Sequence, residues 1–227
     1  MNATTTYGLD GLTLHPDALR AMLLFVGNDP ERPHLHNIFI DEEGHLAASD
    51  GHTLIRLSSI DPGGLVPQGR AGTMWTPAAA LALLEALPKL PRGNARADAH
   101  ARQRVTLRWS DSLAAIANGK APRIGPVIEA ATDSKGKTAP WQIQTAYLAR
   151  LARATDLLTD GNPMYGPILV NHKRAANEAL LFEVPWYEPI PSSPKISWVH
   201  GRTPEGGPTH ADKPTSAAEI LIMPMKL

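Results

Sequence analysis

Residues 37–57 read NIFIDEEGHLAASDGHTLIRL and place two apolar runs on either side of a short acidic turn. The first run is Asn37–Asp41, the second is His45–Leu57, and Gly44 lies in the turn that joins them. Two apolar runs joined by a turn that contains glycine are typical of a β-hairpin. This stretch therefore predicts antiparallel sheet and excludes an all-helical fold.

The segments around this hairpin alternate between helical and strand patterns. Leu14–Gly27 carries Pro16 in its first turn and ends at glycine, which are the usual start and stop signals of a helix. Thr76, as N-cap, and Pro77 open a second helix, which we expect to run to Pro88. A third helix is predicted over Thr145–Leu158, where apolar residues recur every three or four positions. Further strands are predicted at Gln103–Trp109 paired with Ser112–Ala117, and at Pro167–Asn171, Ala179–Val184, Lys195–Val199 and Ala218–Met223.

This order of elements predicts an α+β protein of two domains. Each half begins with a helix that is followed by a hairpin, and the segment Asp133–Lys137 has the composition of a linker. We therefore expect a first domain over residues 1–132 and a second, abbreviated domain over residues 138–227.

Composition excludes several classes of function. The chain has 227 residues and no cysteine, which rules out disulfides, thiolate metal sites, iron–sulfur clusters and a cysteine nucleophile. Lys plus Arg and Asp plus Glu number 22 each, so net charge alone attracts neither DNA nor an acidic membrane. The sequence contains neither a targeting signal nor an apolar run long enough to span a bilayer, so a cytoplasmic location is expected.

Histidines are the first candidates for catalysis. His34 and His36 could form a metal pair on one face of a strand, although two histidines in a loop would give the same pattern. Ser49, Asp50 and His52 supply the residue types of a hydrolytic triad, but such triads are assembled from separate elements rather than from four consecutive residues. No phosphate-binding glycine loop is present. The chain is therefore expected to be no enzyme and to hold neither cofactor nor metal.

Basic residues on or just after the predicted helices are candidates for contacts with DNA phosphates. A loose array of cations is enough for such contacts, which carry no base specificity, although solvated helix faces have the same pattern. These candidates are Arg20, Lys89, Arg92, Arg150 and Arg153.

Two motifs resemble the bacterial sliding clamp, the beta subunit of DNA polymerase III. Ala48–Leu54, ASDGHTL, resembles the A-T-D-G-H-R-L segment of its middle domain, and Ile220–Leu227, ILIMPMKL, resembles its C-terminus. Lys120–Ile128 resembles the stretch that leads into its last domain. The resemblance extends over most of residues 7–227, is specific at the two motifs and diffuse between them.

The resemblance implies two DNA-clamp domains and a pocket for short hydrophobic peptides, which DNA polymerases, the clamp loader and repair proteins carry. Two methionines also suit a surface that accepts several similar peptides, although Met223 and Met225 could instead fill the core of a last strand. The resemblance implies one pocket wall of Gly51, His52 and Leu54, with Pro122 and Val127 behind it. The other wall is expected from Leu221, Met223, Pro224 and Met225.

The same resemblance implies a processivity factor that encloses duplex DNA in a ring. Because only the second and third clamp domains are matched, a six-domain ring would need three copies of this chain, as in two-domain clamps of eukaryotes and phages. Origin in a phage or mobile element would fit this architecture. Thr53 stands where the family motif has arginine, which changes the chemistry of the pocket wall. Two alternatives stay open: an adaptor or decoy that binds clamp-binding peptides without encircling DNA, and a histidine-based metal enzyme.

Overall fold

The computed structural model describes residues 6–57, 70–93, 95–113, 124–132, 143–159, 166–169, 179–185 and 216–222. This part of the chain contains five α-helices and ten β-strands. The helices are α1 (Pro16–Leu23), α2 (Pro77–Glu85), α3 (Ala95–Ala101), α4 (Gly125–Thr132) and α5 (Thr145–Leu158). The strands are β1 (Thr6–Tyr7), β2 (Gly11–Leu14), β3 (Ile38–Ile40), β4 (Leu46–Ser49), β5 (Thr53–Leu57), β6 (Met74–Trp75), β7 (Val105–Arg108), β8 (Ile168–Leu169), β9 (Leu180–Pro185) and β10 (Ser216–Ile222).

The strands form two antiparallel sheets, so the protein has a mixed α and β fold. The larger sheet has seven strands in the order β6-β3-β4-β5-β10-β9-β8, and the smaller has three in the order β1-β2-β7. In the large sheet β10 lies between β5 and β9, with Leu221 opposite Leu54. Strands from both predicted domains therefore belong to one continuous sheet.

An ion-pair cluster also links strands β5 and β10 through their side chains. Arg56 on β5 donates to the carboxylate of Glu219 on β10 at 2.7 Å and to that of Glu43 at 2.8 Å. The Arg56 side chain is largely buried, and the carboxylates of Glu43 and Glu219 compensate its charge at this low-dielectric site.

Alternation along each strand gives the large sheet two different apolar faces. We call the face that packs with α1, α2 and α5 the inner face, and the opposite face the outer face. The inner face carries the larger cluster of buried side chains, among them Ile38, Ile40, Leu46, Ile55, Trp75, Phe182 and Ile220. The outer face carries a smaller cluster that packs with Ile124, Ile128 and Ala131 of the α4 region and includes Phe39, Ala47, Met74, Leu181 and Leu221.

Helix starts follow the predicted capping chemistry. Thr76 accepts the N–H of Ala79 at 3.1 Å, and Pro77 occupies the first turn of α2, as predicted. At α1 the cap is His15, whose Nδ1 accepts the N–H of Asp17 at 3.2 Å. The predicted helix Thr145–Leu158 is confirmed with the same bounds.

Other predicted elements need correction. The run His45–Leu57 is two strands, β4 and β5, because a turn with Gly51 at a φ of 88° reverses the chain after Ser49. The predicted strand Gln103–Trp109 is present as β7, but its partner among the described strands is β2.

The stretch ahead of the predicted linker also differs from expectation. It contains helix α4, which begins at Gly125 with proline next to it, a favourable first helical turn. Within Ser112–Ala117, Leu113 forms an isolated bridge with Met74, and residues 114–117 lie outside the described part. The predicted strand Lys195–Val199 also lies outside the described residues. Among the described helices, none has both the length and the apolar character needed to cross a bilayer.

Candidate functional site

A cavity of about 270 Å³ lies between the start of α4 and the outer face of the large sheet. Its floor is made by strands β3, β5 and β10, one end by the turn between β4 and β5, and the opposite side by residues of the α4 region. The lining residues are Leu35, Phe39, Ser49, Gly51, His52, Thr53, Leu54, Ile124, Val127 and Leu221.

The floor and far side of the cavity are apolar. Phe39 is fully buried below it, and Leu54 and Leu221 are cross-strand neighbours on β5 and β10. Ile124 is buried on the α4 side, whereas Val127 is 46% exposed and stands over the opening. The cavity therefore offers contact to an apolar side chain that enters from solvent.

The polar groups of the turn are hydrogen-bonded to one another. The Ser49 hydroxyl donates to the Thr53 carbonyl at 2.9 Å and accepts the Gly51 N–H at 3.1 Å. One oxygen of the Asp50 carboxylate accepts the N–H groups of His52 and Thr53 at 2.9 and 2.7 Å, and the Thr53 hydroxyl at 3.0 Å. Because these groups are satisfied within the protein, an apolar ligand would leave none of them unpaired.

The other oxygen of Asp50 is bound by Arg150 of α5, on the inner side of the sheet. Burial by itself would raise the pKa of the Asp50 carboxyl. The hydrogen bonds from Arg150, Thr53 and His52, with the positive charge of Arg150, outweigh burial and lower that pKa below its ordinary value. The turn is thus held by an ionised carboxylate throughout the neutral range.

A basic side chain covers the outside of the turn. A Cβ atom at Gly51 would overlap the guanidinium of Arg32 and would lie 3.5 Å from Leu35. Arg32 is about half exposed, and its ion pair with Asp29 has a long N···O distance of 3.8 Å. The edge of the cavity next to Gly51 is therefore positively charged.

The structure brings together the pocket residues that it describes from the predicted set. Gly51, His52, Leu54, Val127 and Leu221 all line the cavity, although they come from three separate parts of the chain. The remaining predicted pocket residues, Pro122, Met223, Pro224 and Met225, lie outside the described residues.

Sequence reasoning missed several lining residues. Leu35 precedes strand β3, Phe39 is in that strand, and Ile124 directly precedes α4. Ile124 lies inside the family-like stretch Lys120–Ile128, whereas no motif marks Leu35 or Phe39. A period-two reading of β3 would have separated Phe39 from its inward-facing neighbours Ile38 and Ile40 and could have assigned it to the outer face.

The predicted phosphate-contacting cations fall into two groups. Lys89, Arg92 and Arg153 have exposed side chains. Arg20 is 38% exposed and pairs with Asp17 in the first turn of α1. Arg150, also predicted to contact phosphate, has its guanidinium bound to Asp50 and Thr53.

The predicted histidine chemistry is not assembled where the structure describes it. Residues Pro33–His36 form a 3₁₀ turn rather than the predicted strand, so strand alternation does not place His34 and His36 on one face. The Nε2–H of His36 donates to the carbonyl of Asp29 at 2.6 Å, while the side chain of His34 lies outside the described part. Near the cavity, Asp50 binds the backbone of His52, and the imidazole instead stacks on Tyr147. Ser49, Asp50 and His52 therefore form no catalytic triad.

A buried cluster of His15, Asp17 and His100 was not anticipated from the sequence. The Nε2–H of His15 donates to the His100 carbonyl at 3.0 Å, and Nε2 of His100 lies 2.9 Å from the Asp17 carboxylate. Burial lowers the pKa of His15, against the opposing effects of its hydrogen bond to His100 and the charge of Asp17. The three side chains could ligate a metal by residue type, but both ring nitrogens of His15 already take part in hydrogen bonds. Nδ1 caps α1, and Nε2 links the start of α1 to His100 of α3.

A comparison of the chain with models of known protein families finds no match, and a comparison with curated protein sequences also finds none.

Proposed function

We propose that this protein is a sliding-clamp-like processivity factor that recruits DNA polymerases or repair proteins through the cavity on the outer face. The observation that carries the proposal is the convergence of Gly51, His52, Leu54, Val127 and Leu221 on one apolar cavity. The family resemblance predicts these residues from three stretches of the chain, and the outermost of them, Gly51 and Leu221, lie 170 positions apart.

The chemistry of the cavity suits an apolar anchor on an extended peptide. Burying one leucine-sized side chain contributes roughly 1.5–3 kcal/mol, and a groove with several such contacts supports specific but reversible binding. The lining within the described residues carries no carboxylate, lysine or arginine, so an inserted apolar side chain desolvates no full charge.

The helical side would face DNA. Helices α2 and α5 both pack against α1, so the exposed Arg153 and the cations that follow α2 belong to one helical layer on the inner face. Contacts of this kind with phosphates are electrostatic and independent of sequence, which is what sliding requires. Peptide partners would then bind on the opposite face of the sheet, where they cannot obstruct the DNA.

The pocket is tested with a fluorescein-labelled clamp-binding peptide from a bacterial DNA polymerase. Leu54→Ala should weaken its binding about tenfold or more, measured by fluorescence anisotropy, because the change removes floor contacts worth more than about 1.4 kcal/mol. Leu81→Ala is the matched control, since Leu81 is an exposed leucine on α2, away from the cavity. Equal affinity of Leu54→Ala and wild type would reject the cavity as the peptide site.

The second candidate function is an adaptor or decoy that binds such peptides without encircling DNA. It is favoured by the net charge of zero and by the ion pairs of Arg20 and Arg150, which reduce the positive charge available to phosphates. Light scattering across a concentration series separates the two functions. A mass of three chains, with salt-sensitive retention on circular DNA, supports the ring, with a clamp loader as a further expected partner, whereas a monomer at every concentration supports the adaptor.

A further inference from the structure

Arg150 connects the helical layer to the wall of the cavity at the end of strands β4 and β5. Its guanidinium donates to the Asp50 carboxylate and to the Thr53 hydroxyl, 100 and 97 positions away in sequence. It also lies over the rings of Phe25 and Tyr147, at 5.7 and 5.8 Å from their centroids. These contacts hold the guanidinium in one place, with its side chain only 25% exposed.

The turn that Arg150 reaches is organised by a single carboxylate. Asp50 binds Arg150 with one oxygen and, with the other, the backbone N–H groups of His52 and Thr53. The Asp50 side chain is 16% exposed, so without Arg150 it would be an ionised group with little solvent and no counterion. Loss of the cation would therefore favour a different conformation of the turn.

The conformation of this turn sets the shape of the cavity. Gly51, His52 and Thr53 line one end of it, and Leu54 follows directly on the floor. A second contact from α5 acts on the same turn, because the ring of Tyr147 stacks on the imidazole of His52 with a centroid distance of 6.3 Å. One helix thus holds the cavity wall at three side chains, those of Asp50, His52 and Thr53.

We propose that Arg150 is a positioning residue for the peptide cavity and is not one of the DNA contacts. A phosphate would have to displace Asp50 to reach it, whereas Arg153 lies three residues further along α5 with an exposed side chain. The inference rests on the proposed function, since it assigns a role in binding at the same cavity.

The test compares Arg150→Gln with Arg153→Gln in the full chain, using the polymerase peptide and retention on circular duplex DNA. Arg150→Gln should weaken peptide binding about tenfold and leave DNA retention unchanged, because it acts through the turn. Arg153→Gln should weaken DNA retention and leave peptide binding unchanged. Arg150→Lys, which keeps the charge near Asp50, should restore part of the peptide affinity.

Thr155→Ala is the control for a general loss of stability in α5. It removes a buried hydroxyl that is bound to the Leu151 carbonyl in the same helix. This variant should lower the thermal midpoint without changing the peptide affinity of the folded protein. Unchanged peptide affinity in Arg150→Gln, or a loss of DNA retention as large as that of Arg153→Gln, would overturn the inference.

Amide hydrogen exchange distinguishes failure of the inference from failure of the proposed function. If wild type binds no clamp peptide, the proposed function fails. Exchange at His52 and Thr53 still reports on the turn: acceleration in Arg150→Gln but not in Arg153→Gln supports the positioning role, and equal exchange in both variants rejects it.

Discussion

The two faces of the large sheet are built from the same strands but are closed to different degrees. On the inner face, α1, α2 and α5 cover side chains such as Trp75 and Ile55, which are fully buried. On the outer face, the described cover is the eight-residue helix α4, and a cavity of about 270 Å³ remains beside it.

This difference shows how one strand can serve both stability and binding. Ile55 and Leu54 are neighbours on β5, yet Ile55 belongs to the inner cluster and Leu54 lines the cavity. Residues on the inner face are fixed by close packing, whereas those on the outer face keep surface available for a partner. We therefore expect substitutions on the two faces to separate stability from peptide affinity.

The largest expected effect is the difference in free energy of unfolding between the variants Ile55→Ala and Leu54→Ala. Ile55→Ala should lower the free energy of unfolding by about 2–5 kcal/mol, because it leaves a closed cavity in the core. Leu54→Ala only enlarges the cavity on the outer face, which is already open to solvent, and should lower the free energy of unfolding by less than about 1.5 kcal/mol. Urea unfolding of both variants measures the contrast, and equal losses would show that the outer face is as closely packed as the inner one.

A smaller effect is expected from Gly51→Ala, with Gly93→Ala as its control. Both glycines have positive φ angles, 88° and 74°, so alanine should lower the free energy of unfolding by about 1–2 kcal/mol at either position. At Gly51 the new Cβ also meets Arg32, whereas nothing lies within 4 Å of a Cβ at Gly93. Peptide affinity should therefore fall only in Gly51→Ala, and a parallel fall in both variants would contradict this assignment.

The smallest effect is expected from acidification between pH 7.5 and 5.5. The folded pKa of His15 lies below 6.5, so the unfolded state binds a proton first and stability falls as the pH drops below about 6.5. One proton limits this loss to about 1.4 kcal/mol per pH unit. Asp50 contributes its stabilisation above its ordinary pKa of 3.8 and loses it only at lower pH, so the cavity turn should stay intact.

His15→Asn separates the two groups in this pH experiment. Asparagine can still cap α1 but does not titrate, so the dependence of the urea midpoint on pH should become shallower. Urea unfolding of wild type and His15→Asn at both pH values is the measurement, and an equally steep pH dependence in the two proteins would contradict the assignment of this proton to His15.

The sequence predicted elements well where local signals agree. Thr145–Leu158 is found with its predicted bounds because its apolar spacing is helical throughout, and α2 begins at Pro77 because Thr76 is a good cap. The turn at Gly51 was overlooked because apolar residues continue on both sides of it. Helix α4 was overlooked because glycine, proline and lysine around it have the composition of a linker.

The candidate site could be predicted only through resemblance to a family motif. Leu54 and Leu221 become neighbours when β5 pairs with β10, and a local pattern gives no register between strands so far apart. The same limit explains Arg150, whose helix was predicted correctly but whose partner Asp50 lies 100 positions earlier. Helical spacing fixes the face on which a side chain lies but does not identify the group that it contacts.

The central position of β10 has a consequence for how the chain folds. On the ribosome, residues 216–222 are made after every other described strand, yet they must enter between β5 and β9. Until they arrive, β5 and β9 present unpaired edges, which are the parts of a nascent protein most prone to aggregate. Closing a loop of some 160 residues between β5 and β10 also slows folding, so a chaperone that shields strand edges should raise the yield of native protein.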